Sequence, residues 1–290
     1  IEKQNEKVSV PNSSGKKIDF VLFDPDNQVM KTVSFHKPFE MLKVQAMKAE
    51  NMLDRLDAVE AMKGIDFDTK RGALINVFNK ETFQAVKAAV VAQLVNDTNT
   101  QSRTLIRKAI NDKDVLVRKS ALSSITTIPV DLIPDYEKLL SDSSYDIIVS
   151  TLNLLYTGNF IKMPQYLDAT KGITGTLGRN VEIKWLELSA ASAKDVQFIY
   201  KLVEYTGKSY EFRTRVNAMQ ALKRLDYFDE NLLTNLLDAI PSSNGRLAGP
   251  ASEVLQFFYS EDLHKNIINS VIKNGKWEGW QLAAIKKVVN

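Results

Sequence analysis

Small or medium apolar residues return along this chain at a nearly constant interval. Ala58, Ala89, Ala121, Leu152, Leu186, Ala218, Ala251 and Ala284 are separated by 31, 32, 31, 34, 32, 33 and 33 residues. Such a period fits two helices of about twelve residues and their short links. Three of these positions share one phrase, Arg-x-x-Ala: Arg55 to Ala58, Arg118 to Ala121 and Arg215 to Ala218. Around them apolar residues recur on one face, as in Val117, Leu122 and Ile125, or Leu247, Val254 and Leu255. A small residue lets neighbouring helices approach closely, and residues a turn away fill the ridge between them. One helix pair cannot bury its own apolar face, so pairs stack and share a continuous core.

The stretch from Asp114 to Ile125 resembles the second helix of a HEAT repeat, as does Arg55 to Met62. The fold expected is mainly α: a right-handed α-α superhelix of HEAT-like repeats over residues 37–290, with about eight helix pairs. Lys37-Pro38 marks its start, since proline suits a first helical turn, and Gly64 marks a stop after the second helix.

Residues 1–36 read differently. Val8 and Val10 alternate with polar neighbours, as do Ile18, Phe20 and Leu22. The turn signal Asp24-Pro25-Asp26-Asn27 separates them from Val29 to Phe35, rich in β-branched residues. This predicts a short antiparallel β segment of about three strands, the remnant of a β-sandwich domain. Such strands need a cover, either the helical stack or strands upstream of Ile1; the second is expected. The chain begins with isoleucine and shows no signal peptide, so it reads as a mature or excised piece whose natural start is missing.

Composition removes several function classes. With 38 basic and 35 acidic residues spread along the chain, there is no basic field of the kind nucleic-acid binding needs. No membrane span is expected, because the longest apolar runs, such as Ala88 to Val95, are too short. The absence of cysteine excludes disulfides and thiolate chemistry and fits a cytoplasmic or a periplasmic protein equally.

The reactive inventory is thin. His36 stands at the junction between strands and helices, and His264 among Glu261, Asp262 and Lys265 reads as solvated. Neither has a second histidine or a glutamate at metal-ligand spacing, and neither forms a setting for a serine nucleophile. No catalytic residue, cofactor-binding residue or metal ligand is therefore expected in this chain. Two glycine-bearing stretches, Gly172 to Gly178 and Asn244 to Pro250, read as connections between repeats. No buried strand precedes the first, so it is not a phosphate-binding loop. Arg179 and Arg246, in these stretches, are the candidate contacts for a peptide carboxylate. Trp277, Trp280 and the run Phe257-Phe258-Tyr259 are expected to close the end of the stack, a docking surface being the alternative.

Val21 to Phe35, followed by Lys37-Pro38, resembles the end of the β-sandwich domain in aminopeptidase N-type zinc metallopeptidases. Asn51 to Met62 resembles the opening of the same family's C-terminal helical domain. The close resemblance covers about the first 65 residues; beyond them the helical repeat character alone extends it. The family's zinc histidines, glutamate base, third zinc ligand and Gly-x-Met-Glu-Asn loop have no counterpart here. The resemblance implies the non-catalytic C-terminal region of such an enzyme, with zinc in the catalytic domain that this chain lacks. It implies partners too: the N-terminal catalytic domains of the same protein and, indirectly, the peptide whose access to the cavity the helical domain restricts. A stand-alone HEAT scaffold binding another protein along its concave face is the alternative. The N-terminal strands separate the two, since a free scaffold would begin with a polar capping helix.

Overall fold

Helices in this protein begin where a short polar side chain can accept the first free backbone N–H groups. Asn51, Asp66, Asn99, Asp114, Asp195, Asp229 and Asn244 each do so at a helix start. The computed structural model describes residue 9 and residues 11–25, 28–158, 160–193 and 195–289. These are mainly helical, with sixteen α-helices and no β-strand among the described residues.

The chain divides into two compact units, Ile1–Thr126 and Thr127–Asn290. The first holds α1 (Phe39–Lys48), α2 (Met52–Ala61), α3 (Phe67–Lys80), α4 (Gln84–Leu94), α5 (Thr100–Ile110) and α6 (Val115–Ser123). Here α1 packs on α2, α3 on α4 and α5 on α6, while α2, α4 and α6 lie against one another in chain order. The second holds α7 (Ile133–Glu137), α8 (Tyr145–Gly158), α9 (Met163–Thr170), α10 (Asn180–Ala193) and α11 (Val196–Tyr205). It continues with α12 (Phe212–Arg224), α13 (Glu230–Ala239), α14 (Gly245–Tyr259), α15 (Asp262–Asn274) and α16 (Gly279–Val289). Again the even-numbered helices pack in succession, α8 on α10, α10 on α12, α12 on α14 and α14 on α16.

The repeated Arg-x-x-Ala phrase has a physical explanation. In each case the arginine lies four residues after the helix N-cap, at Asn51, Asp114 and Glu211. From there its guanidinium reaches back to the free carbonyls at the end of the preceding helix. Arg55 Nη1 donates to the carbonyls of Ala49 and Glu50 at 2.9 and 2.8 Å. Arg118 Nη1 donates to those of Asp112 and Lys113 at 2.9 and 3.0 Å, and Arg215 Nε to that of Thr206 at 2.9 Å. A cation there satisfies carbonyls that lack an intrahelical donor and complements the helix dipole. The alanine three residues on is fully buried in all three cases. Arginine and alanine together set the approach of each pair.

Ion pairs then tie one pair to the next. Arg55 binds Glu81, 26 residues on, through Nε at 2.7 Å and Nη2 at 3.1 Å. Arg71 binds Asp97, also 26 residues on, at 2.6 and 3.1 Å. Lys87 binds Asp112, 25 residues on, at 2.5 Å. Burial pushes the Asp97 carboxyl up, but Arg71, Ser102 and the Asn99 N–H together outweigh it and hold its pKa below the usual carboxylate range.

Most of the spaced anchors lie in the core, Leu152 and Ala251 fully so. Ala89 and Ala284 are only half-buried, and the fully buried positions are their neighbours Val90 and Ile285. Prolines shape the fourth and fifth pairs: Pro134 and Pro164 sit in the first turns of α7 and α9, each next to a short 3-10 turn. Asn244 to Pro250 is not a connection, as its composition suggests, but the first turns of α14. Asn244 accepts from Arg246 N at 3.1 Å, which opens the helix ahead of Pro250.

Of the expected β segment, Val8, Val10, Asp26 and Asn27 fall outside the described residues. Ile18 to Leu22 and Val29 to Phe35 are described and form no strand. A strand needs a partner ladder, and these stretches have none among the described residues. Ile18, Val21, Phe23, Val29, Val33 and Phe35 are all exposed, Val29 at 63%. The segment is tied to the helices by Lys48 on Asp19 at 2.8 Å and by Asn51 Nδ2 on the Pro25 carbonyl at 3.2 Å.

Candidate functional site

Arg179 and Arg246, the candidate peptide-carboxylate contacts, occupy different surroundings. Arg179 ends the glycine-bearing link before α10 and has a left-handed backbone, φ 48°. The link is fixed from α12. Asn217 Nδ2 donates to the Gly178 carbonyl at 2.7 Å, and a Cβ at Gly178 would lie 2.7 Å from that same nitrogen. Only glycine allows that approach. The Arg179 guanidinium binds Glu182 and lies over the Tyr205 ring, 5.2 Å from its centroid. Tyr205 donates to the other Glu182 oxygen at 2.5 Å. The Glu182 hydrogen bond raises the Arg179 pKa, and burial, followed by the same carboxylate, raises that of Tyr205. Arg179 is thus a matched cation: a second carboxylate would have to displace Glu182.

Arg246 stands exposed in the first turn of α14. α12 packs against both α10, which Arg179 precedes, and α14, which carries Arg246.

The histidines are equally separate. His36 is exposed at the approach to α1 and lines a cleft of about 560 Å³ with Phe23, Val33, Phe35, Asp54 and Asp57. There Lys37 donates to Gln45 Oε1 at 2.6 Å and lies 4.7 Å from the Phe35 ring centroid. Burial lowers the Lys37 pKa against the opposing pull of Asp54 and Asp57. His264 is not solvated, as its charged neighbours suggest. Its ring packs on Phe228 and Phe258, with centroids at 4.4 and 5.7 Å. Its Nδ1 is 3.1 Å from Glu261 Oε2 without hydrogen-bond alignment. Helix periodicity explains the difference, because residue 264 shares the buried face of α15 with Ile268 and Ile272.

Neither histidine is therefore part of a donor set that would hold zinc, and among the described residues no group of three or more His, Cys, Asp or Glu could hold a metal ion. No described helix is long and apolar enough to cross a membrane.

The C-terminal aromatic residues divide. Phe258 is fully buried, and Trp277 packs on the core with its Nε1 donating to the Ile272 carbonyl at 3.0 Å. Trp280 is 62% exposed, as are Leu263 and Ile267 in large part.

One cluster of enclosed charges ties α10 to α12. Lys184, on α10, is buried and donates to Glu187 Oε1 at 2.9 Å; Glu187 also receives Arg224 Nε and Nη2 from α12, both at 2.7 Å. Burial drives the Lys184 pKa down despite Glu187. Sequence reasoning had no signal for this triad, since its third member lies 37 residues from the second. Comparison with known proteins gives no match, either to a protein-family model or to a curated protein sequence.

Proposed function

We propose that this chain is a non-catalytic helical repeat region of HEAT-like type from an aminopeptidase N-type zinc metallopeptidase. In this reading it forms a wall that bounds a peptide cavity and limits what enters it. The observation that carries the reading is the junction at residues 18–62. Exposed apolar side chains, Ile18, Val21, Phe23, Val29, Val33 and Phe35, precede a helix pair whose second member bears the capping arginine Arg55 and the buried Ala58. Such side chains fit poorly with the polar outer faces that a free repeat array presents. They suit a sheet completed by further strands. Successive packing of the even-numbered helices supports a rigid, repeating surface in each unit.

The test is isolation of the native polypeptide with an antibody raised against this chain. A polypeptide well above 32.7 kDa that releases an N-terminal residue from a chromogenic amide, and loses that activity to a zinc chelator, is expected. A native product of this chain's own mass, devoid of activity, would sink the reading and leave the stand-alone scaffold.

A further inference from the structure

Asparagine followed by glycine occurs twice in this chain, at Asn244-Gly245 and Asn274-Gly275. The pair is chemically labile because glycine, with no Cβ, lets its own amide nitrogen swing onto the asparagine carboxamide. The fold treats the two pairs oppositely.

Asn274 is the last residue of α15, and the Gly275 N–H is taken up by the Val271 carbonyl at 2.9 Å. The Trp277 indole lies on Gly275: a Cβ there would stand 2.4 Å from its Nε1, which donates to the Ile272 carbonyl at 3.0 Å. Negative charge developing on Asn274 would also face the negative end of the helix dipole.

Asn244 precedes α14 with extended backbone, φ −79° and ψ 95°. The Gly245 N–H has no acceptor among the described residues, Gly245 is exposed, and a Cβ on it would meet nothing within 4 Å. Asn244 Oδ1 accepts from Arg246 N at 3.1 Å. That bond turns the carboxamide toward the opening of α14 and polarises its carbonyl; with the positive helix end it would stabilise an oxyanion on Oδ1. The nucleophile is free and the electrophile is activated.

We infer that Asn244-Gly245 is a site of spontaneous succinimide formation, and that the reaction dismantles the start of α14. Gly245 N gives up its proton to solvent base and bonds to Asn244 Cγ. The Cγ–Nδ2 bond breaks, and the nitrogen takes a proton from water and leaves as ammonia. Water then opens the ring at either carbonyl. Opening at Cγ leaves aspartate; opening at the main-chain carbonyl leaves isoaspartate, whose backbone runs through Cγ. Both acceptors that hold this first turn belong to Asn244: Oδ1 on Arg246 N, and the main-chain carbonyl on Leu247 and Ala248 N at 2.9 and 3.0 Å. Isoaspartate exchanges the two and adds a methylene to the backbone between them and the helix. The inference does not rest on the peptidase reading.

The full chain is aged at mildly alkaline pH, native and in urea, then cut with a glutamate-specific protease for mass spectrometry. Fragments 231–253 and 262–278 each carry one pair. In the native chain Asn244 should convert at least tenfold faster than Asn274, with isoaspartate in fragment 231–253 detected by an isoaspartate methyltransferase. In urea the two rates should converge to within threefold. G245A, which puts its methyl group into open space, should keep the circular dichroism spectrum and slow conversion at Asn244 at least tenfold. Amide exchange at Arg246 and Leu247 should quicken at least fivefold in the isoaspartate form. Native rates within threefold of each other, Asn274 converting ahead of Asn244, or Asn244 intact in the native chain while urea converts it would each overturn the inference. So would a folded G245A that converts like the parent, or unchanged exchange at Arg246. If G245A does not fold, the comparison of native and urea-treated chain decides alone.

Discussion

Replacing Glu187 by glutamine removes one negative charge from beneath two cations and changes little else in size. Lys184 and Glu187 are both nearly sealed from solvent, whereas the Arg224 side chain is 48% exposed. Arg224 can therefore turn to water, and Lys184 cannot. Breaking a buried pair by deleting one member costs about 3–5 kcal/mol, since the remaining charge is left without compensation. The partial release of Arg224 places E187Q near the lower end, at about 3 kcal/mol. The pairwise replacement K184M/E187M removes both buried charges and should cost less than about 1 kcal/mol. Trp185, Trp277 and Trp280 all lie in the second unit, so tryptophan fluorescence during urea unfolding follows the affected part.

The pH dependence has a definite sign. Lys184 has a folded pKa below its unfolded value, so above the folded value the unfolded chain binds more protons and stability rises with pH. Loss of Glu187 lowers the folded value further and opens that window sooner. E187Q should therefore recover stability on raising pH from neutral toward the ordinary lysine range, more steeply than the parent. An E187Q loss under about 1 kcal/mol, or a double variant worse than the single, would refute the reasoning.

Three smaller changes follow from the packing. Thr151 is fully buried with no partner for its hydroxyl among the described residues, so T151V should stabilise by about 1 kcal/mol in urea unfolding. Ala218 fills a position with no spare room, and A218L should cost about 1–3 kcal/mol and broaden the thermal transition. Gly72→Ala puts a methyl group into open space and should raise stability by about 0.8–1 kcal/mol, measured by amide exchange in α3.

Helix positions were legible because burial on one face imposes a period, and Ala58, Ala121, Leu152, Ala218 and Ala251 stand at its centre. Ala89 and Ala284 fall one residue off because small size marks a close approach only when the residue also faces the neighbouring helix. Asn244 to Pro250 was misleading: glycine and proline are loop signals on average, yet an asparagine N-cap can hold both in opening turns. The alternation at residues 18–35 is real, but a strand is a property of two chains, and one pattern cannot supply the second. At Arg179 the signal was at hand, since Glu182 lies only three residues on in the chain. Lys184 and Glu187 stand three apart on α10, but Arg224 joins them from α12, 37 residues on, and no local pattern encodes that.

The reach of the ties also bears on mechanics. Arg55 to Glu81, Arg71 to Asp97, Lys87 to Asp112 and Glu137 to Lys162 extend 25 or 26 residues, about one helix pair. Latches of this reach, repeated within a unit, yield under tension as a zip does, tooth by tooth. Each tooth of about 33 residues would free roughly 110 Å of contour at 3.3–3.6 Å per residue. Damage to one latch is felt by its neighbours and hardly beyond them, so modules could be added or lost without redrawing the rest.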